Sequence, residues 1–161
     1  MDKITDLAAQ AGQALQQRGY LLTTAESCTG GGVAHAITDI AGCSEWFDCG
    51  FVTYSNASKI ELLDVPDALL AQHGAVSEEI AAAMAEGALA SSNAHVALST
   101  TGIAGPGGAV AGKPVGTVCF GWSMNATTVT ERRVFDGDRH SVREQTVAHA
   151  LQGLLRLLDK R

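Results

Sequence analysis

The sequence predicts a three-layer α/β/α sandwich on a mixed, mostly parallel sheet of about five strands. Three observations carry this expectation. Helical and extended segments alternate through the first part of the chain, a hairpin pattern then interrupts them, and a long amphipathic helix closes the sequence. Alternation of strand and helix calls for crossover connections, which place helices on both faces of a sheet. The hairpin adds at least one antiparallel strand. With 161 residues, 46% hydrophobic and 17% charged, the chain fits one domain spanning 1–161 whose core needs no disulfide or metal staple.

Ile4, Leu7, Ala8, Ala11 and Leu15 recur at helical spacing and give a first helix ending near Gly19. Tyr20 to Ala25 is short, apolar and rich in threonine, and reads as a strand. The turn Glu26-Ser27-Cys28-Thr29-Gly30-Gly31-Gly32 follows; Val33, Ala34, Ile37 and Ile40 then return to helical intervals, with Gly42 as the stop. Trp46 to Tyr54 is a second strand. Ser55 or Asn56 caps a short helix through Leu63, and Pro66 suits the first turn of another that stops at Gly74. Ser77 caps a third, with Glu78 and Glu79 offsetting the dipole in its first turn and an alanine-rich run to Ala90. His95 to Thr101 is the next strand and runs into Gly102-Ile103-Ala104-Gly105-Pro106-Gly107-Gly108. Val115 to Met124 and Thr128 to Phe135 form a hairpin around Asn125-Ala126. The last helix runs from near Asp138 to Leu158, turning Val142, Val147, Ala150, Leu151, Leu154 and Leu158 towards the core.

A formal net charge of −6, from 17 acidic and 11 basic residues, supplies no phosphate-neutralising surface, so direct nucleic-acid binding is not expected. No stretch reaches the roughly 18 apolar residues of a membrane span. The N-terminal segment carries acidic and polar residues where a signal peptide has its apolar run, and the chain reads as cytoplasmic. Cys28, Cys43, Cys49 and Cys119 lack ligand spacing and are expected as free, mostly buried thiols. His35, His73, His95, His140 and His149 show no HxxxH or HExxH pattern and read as surface or structural residues, so no metal or cofactor is called for. A homodimer is compatible with all of this.

Chemistry can sit at the two glycine-rich turns, which this topology brings to the carboxyl ends of the strands. Ser27, between a strand end and a helix start, stands where backbone N–H groups converge and can hold a phosphate or an oxyanion. Ser27 or Thr29 acting only as a helix cap explains the same residues. The loop from Thr101 to Gly112 has neither a P-loop pattern nor a GxGxxG opening a helix, and a plain strand connection accounts for it equally. Lysine is scarce, with only Lys3, Lys59, Lys113 and Lys160. Lys59 is a general base if burial or nearby positive charge keeps it neutral, and a solvated helix residue otherwise. Lys113, beside Pro114, is an exposed loop lysine or a phosphate contact. Glu26 either orients the site or ends a strand. Arg139 and Arg143, one helical turn apart, share a face that grips an anion or forms a solvated helix start.

The motifs Thr24-Ala25-Glu26-Ser27-Cys28-Thr29-Gly30-Gly31, Gly50-Phe51-Val52-Thr53-Tyr54-Ser55-Asn56 with Lys59, His73-Gly74-Ala75-Val76-Ser77, Thr101-Gly102-Ile103-Ala104-Gly105-Pro106 and Lys113-Pro114-Val115-Gly116-Thr117 resemble the CinA C-terminal domain family. The likeness covers nearly the whole chain in the same order. It implies a serine amidohydrolase that converts nicotinamide mononucleotide to nicotinate mononucleotide and ammonia, in the recycling of pyridine nucleotides towards NAD. It further implies Ser27 as nucleophile, Lys59 as its base, and Tyr54 and Thr101 in the pocket. Around them, Glu26, Thr29, Gly30 and Gly31 of the first turn and Gly102 and Gly105 of the second are expected to line the mononucleotide. The family's site arginine falls at Arg139 or Arg143. Longer family members carry an additional N-terminal domain linked to pyrophosphatase activity on ADP-ribose, and that activity is not expected here. The rival from another class is a non-catalytic nucleotide-binding or protein-interaction module linked to competence or DNA repair. A further alternative keeps the amidase and changes the substrate to another amide or to a nucleoside without phosphate.

Overall fold

Helix α1 (Lys3–Arg18) starts where Asp2 Oδ1 accepts the Thr5 N–H at 2.9 Å and stops at Gly19, whose φ of 67° turns its N–H back onto the Gln16 and Leu15 carbonyls. A computed structural model describes residues 2–159. After α1 come β1 (Leu22–Glu26), α2 (Gly32–Thr38), a 3-10 turn (Cys43–Glu45), β2 (Phe47–Val52), α3 (Asn56–Leu63), α4 (Asp67–His73) and α5 (Glu78–Ala90). The remainder is β3 (Val96–Gly102), β4 (Thr117–Met124), β5 (Thr127–Val134) and α6 (Arg139–Asp159).

The five strands form one sheet in the order β2-β1-β3-β4-β5. β1 runs parallel to both β2 and β3, whereas β4 is antiparallel to β3 and to β5, so β4 alone opposes the common direction. Helices α1, α2 and α6 cover one face and α3, α4 and α5 the other. The pleat divides β3 between two cores: Val96 and Leu98 pack with Leu15, Phe120 and Leu151, while Ala97 packs with Ile80 and Met84. All six residues expected to face inward on the last helix are buried.

Several boundaries differ from the sequence reading for identifiable reasons. β1 begins at Leu22 because the Tyr20 N–H closes α1 on the Leu15 carbonyl and the Leu21 N–H goes to His95 Nδ1. Gly42 does not stop α2, which ends at Thr38 with Asp39 as its C-cap. With φ of 88°, Gly42 instead opens the 3-10 turn that drops the Trp46 ring onto Gly12, where a Cβ would lie 2.6 Å from the indole. All four thiols are free, with Cys28 and Cys119 buried; Cys43 and Cys49 are only partly covered, on the 3-10 turn and the edge strand. Among the described residues no helix is long and apolar enough to cross a membrane, and no His, Cys, Asp and Glu cluster is arranged to hold a metal.

The β4–β5 hairpin turns through Asn125 (φ 53°) and Ala126 (φ 62°), both left-handed, as the twist of a two-residue connection demands. Asparagine tolerates this region; alanine pays a steric cost there. Ala126→Gly should therefore raise stability by about 1 kcal/mol, read as an increase of about 2–4 °C in Tm by calorimetry.

Candidate active site

Ser27 follows the last residue of β1 and is held by the sheet itself, its N–H donating to the Thr100 carbonyl at 2.9 Å. The chain then folds back sharply, with Gly30 N–H on the Ser27 carbonyl (3.0 Å) and Gly32 N–H on the Thr29 carbonyl (3.0 Å). Gly30 and Gly31 have φ of 59° and 100°, which a side chain at either position would oppose. Neither Ser27 nor Thr29 caps α2. That work falls to Glu26, which is wholly buried: Oε1 accepts the Thr29 hydroxyl (2.5 Å) and Val33 N–H (2.8 Å), and Oε2 accepts Ala34 N–H (3.0 Å). Thr29 Oγ1 also lies 2.8 Å from Thr100 Oγ1, tying the turn to β3. Glu26 thus faces into the turn and pins it from behind.

Lys59 reaches the same point from α3. Ser55 caps that helix by accepting the Ser58 N–H at 3.1 Å, and this start angle turns Lys59 and Leu63 inward together. Lys59 is 1% exposed, among the largest fully buried side chains of the protein. Its Nζ lies 3.1 Å from Ser27 Oγ and donates to the carbonyls of Thr53 (2.8 Å) and Tyr54 (3.3 Å). Burial holds its pKa below the ordinary 10.5, because the charged form loses its hydration. A thiolate at Cys28 would oppose this, but burial and the neighbouring Glu26 charge push that thiol up to about 12, so it stays protonated near neutrality. A neutral amine has two protons and one lone pair. The two carbonyls take the protons, which leaves the lone pair for the hydroxyl of Ser27.

The other expected residues gather around this pair in different roles. Tyr54 is 60% exposed at the mouth, and its phenol oxygen accepts from Arg139 Nη2 at 3.1 Å. Arg139 Nη1 donates to the Gly105 carbonyl at 2.8 Å, so this arginine bridges the β2–α3 turn and the second glycine-rich loop. Arg143, one turn further along α6, braces the turn that follows Ser27 and donates to the carbonyls of Cys28 (3.1 Å) and Thr29 (3.3 Å). Thr101 is buried beside Ser27, one step past the Glu26–Thr100 pair of the β1–β3 ladder, and donates to the Ala75 carbonyl at 2.8 Å. At Gly102 and Gly105 a Cβ would meet Val118 at 2.7 Å and Val115 at 2.4 Å, so the loop packs too tightly there for a side chain. Lys113 donates to the His73 carbonyl at 2.8 Å. Lys160 lies outside the described residues. Four of the five histidines have partners other than the Ser27–Lys59 pair: His73 meets Glu79, His140 meets Glu144, His149 meets Glu131, and His95 accepts from Leu21. Sequence reasoning missed the carbonyls of Thr53, Tyr54 and Ala75, and it missed Thr100. The first three act through the main chain, which carries no residue-type signal, and Thr100, which contributes its carbonyl to Ser27 and its hydroxyl to Thr29, is placed by strand register.

Residues 4–158 match the family model for the CinA C-terminal domain. The chain is 53% identical over 157 residues to the nicotinamide-nucleotide amidohydrolase PncC of Pseudomonas putida, covering 98% of each chain. It is 53% identical over 153 residues to the protein of the same name from Escherichia coli (strain K12), covering 94% of this chain and 93% of the relative. The crystal structure of competence damage-inducible protein A from Klebsiella pneumoniae superposes with a TM-score of 0.95 at 39% identity, over 99% of this chain and 100% of the other.

The buried amine has a thermodynamic signature. Its folded pKa lies below 10.5, so unfolding takes up a proton between the two values and stability rises with pH across that window. Relative to Lys59→Met, which lacks the titrating group, the wild-type protein should gain up to about 1.4 kcal/mol per pH unit as the pH climbs through the interval between the depressed folded value and 10.5, measured by urea denaturation in a pH series.

Proposed function

This chain belongs to the CinA C-terminal domain family, and from that premise we propose that Ser27 and Lys59 hydrolyse the carboxamide of nicotinamide mononucleotide as a nucleophile–base pair. The protein is a nicotinamide-nucleotide amidohydrolase of the pyridine nucleotide cycle, releasing nicotinate mononucleotide and ammonia. The observation that carries the residue assignment is the 3.1 Å separation of Lys59 Nζ from Ser27 Oγ inside a site that desolvates the amine. A binding module would gain nothing from a lysine buried against a serine at a cost to its own stability.

The chemistry follows from the two groups. Neutral Lys59 takes the Ser27 proton as Oγ bonds to the carboxamide carbon, and the carbonyl oxygen becomes an oxyanion. Main-chain N–H groups of the turn after Ser27 hold that charge. Their alignment is fixed beforehand by Glu26 and Thr29 from within and by Arg143 on the turn's carbonyls, so little reorganisation is needed as the charge develops. The tetrahedral species collapses, the C–N bond breaks, and Lys59 returns its proton to the leaving nitrogen as ammonia departs. Water then attacks the acyl carbon, giving a proton to Lys59. The ester bond to Ser27 breaks, Oγ recovers that proton, and nicotinate mononucleotide leaves. Tyr54, Thr101, Gly102 and Gly105 wall the substrate, and Arg139 braces the mouth by joining Tyr54 to Gly105.

Ammonia release from nicotinamide mononucleotide tests the assignment directly. Ser27→Ala and Lys59→Met should each lower kcat by about a thousandfold or more, and the double variant should be little worse than either, because the pair acts as one unit. Near-normal turnover by either single variant would exclude it. Since Lys59 must be neutral to accept the proton, kcat/KM should rise with pH through its depressed pKa and then level off; a profile flat from acid to alkaline pH would contradict the role of this lysine.

A further inference from the structure

We propose that Lys113 takes the phosphate of the mononucleotide and so gives the site its preference for a phosphorylated substrate, an assignment that rests on the amidohydrolase reading above. Lys113 stands on the returning arm of the loop between β3 and β4, where it and Val110 exchange backbone hydrogen bonds of 2.9 and 3.1 Å. The turn between them passes through Gly112 at φ 76°. This closure directs the side chain away from its own loop and across to the end of α4. There Nζ donates to the His73 carbonyl at 2.8 Å and lies 3.3 Å from where a Gly74 Cβ would stand. That bond uses one of the three protons of the ammonium.

From this anchor the path to the nucleophile is short. Ala75 follows Gly74, its carbonyl accepts the Thr101 hydroxyl, and Thr101 is the neighbour of Ser27 across the β1–β3 ladder. Lys113 is therefore linked to Ser27 through one strand spacing of about 4.8 Å, the 2.8 Å bond from Thr101 to Ala75, two residues of chain spanning at most about 7 Å, and its own 2.8 Å bond to His73. A substrate with its carboxamide at Ser27 lays its ribose over Thr101 and Ala75 and carries its phosphate to the Lys113 rim. The loop crest leaves room for it: a Cβ at Gly107 or Gly112 would meet nothing within 4 Å.

Charge and commitment favour Lys113 over the two arginines. Arg132 donates to the Gly112 carbonyl at 2.5 Å, bringing a second cation to the same rim. The carboxylates at the start of α5 have other contacts, Glu79 with His73 Nδ1 at 3.3 Å and Glu78 with the Thr130 hydroxyl at 2.8 Å. Arg143 holds the Cys28 and Thr29 carbonyls, and Arg139 joins Tyr54 to Gly105. Drawing either arginine onto a phosphate would loosen the turn or the mouth. A lysine ammonium on a flexible stem can add a phosphate contact while keeping its carbonyl.

The test is steady-state kinetics on the purified full chain with nicotinamide mononucleotide. Lys113→Met should raise KM about 10- to 100-fold, the loss of a charge-assisted hydrogen bond, with kcat changed by no more than about threefold. Lys113→Arg should restore most of the KM, and inhibition by nicotinate mononucleotide should weaken in Lys113→Met by the same factor as the KM. An unchanged KM overturns the assignment. So does a fall in kcat at constant KM, or a KM rise that Lys113→Arg leaves uncorrected, since both mark a role in loop packing. Wild-type protein that releases no ammonia would remove the amidohydrolase reading and this assignment with it, an outcome the wild-type control separates from the others.

Discussion

The burial of one lysine amine against one serine hydroxyl is the constraint on which the rest of the architecture turns. Lysine is among the side chains least often found inside a protein, and Lys59 is there because α3 starts at a defined angle and because Thr53 and Tyr54 present carbonyls to its amine. Desolvation favours the neutral form, which is the form able to accept a proton. The fold therefore carries a group that weakens it near neutral pH, and under the proposed mechanism it gains in return a base that needs no partner histidine.

The position of that pair follows from strand order. From β1 the chain leaves towards β2 on one side, and from the adjacent β3 it leaves towards β4 on the other, so the connections leave the carboxyl ends of these neighbouring strands in opposite senses. A crevice opens at such a reversal, and Ser27 and Thr101 lie at it side by side. The antiparallel β4 then lets the β3–β4 connection cross the end of the sheet as a loop, without a helix. This is why a glycine-rich segment arches over the site, tied at Gly105 by Arg139 and at Lys113 to His73.

Rigidity around Ser27 is built from inside. Glu26 satisfies the first amides of α2 and fixes Thr29, Thr100 holds Ser27 from the neighbouring strand, and Arg143 grips the outer carbonyls of the turn. A helix start would ordinarily be capped by the small hydroxyl residues nearest to it. Here a buried carboxylate assumes that task, and Ser27 keeps its hydroxyl for Lys59.

Much of this was legible in the chain itself. Period-3.6 spacing located the helices and short apolar runs the strands, Gly19, Ser55 and Ser77 marked helix ends by local hydrogen bonding, and the motifs around Ser27 and Thr101 marked the two turns. These features depend on neighbours within a few residues, so sequence determines them. The burial of Lys59 against Ser27, the division of labour between Arg139 and Arg143, and the reach of Lys113 to His73 could not be read that way. Each joins residues far apart in the chain, and some of the acceptors are main-chain carbonyls that every residue possesses. Side-chain chemistry proposes which groups can meet; strand order, register and helix packing decide which ones do.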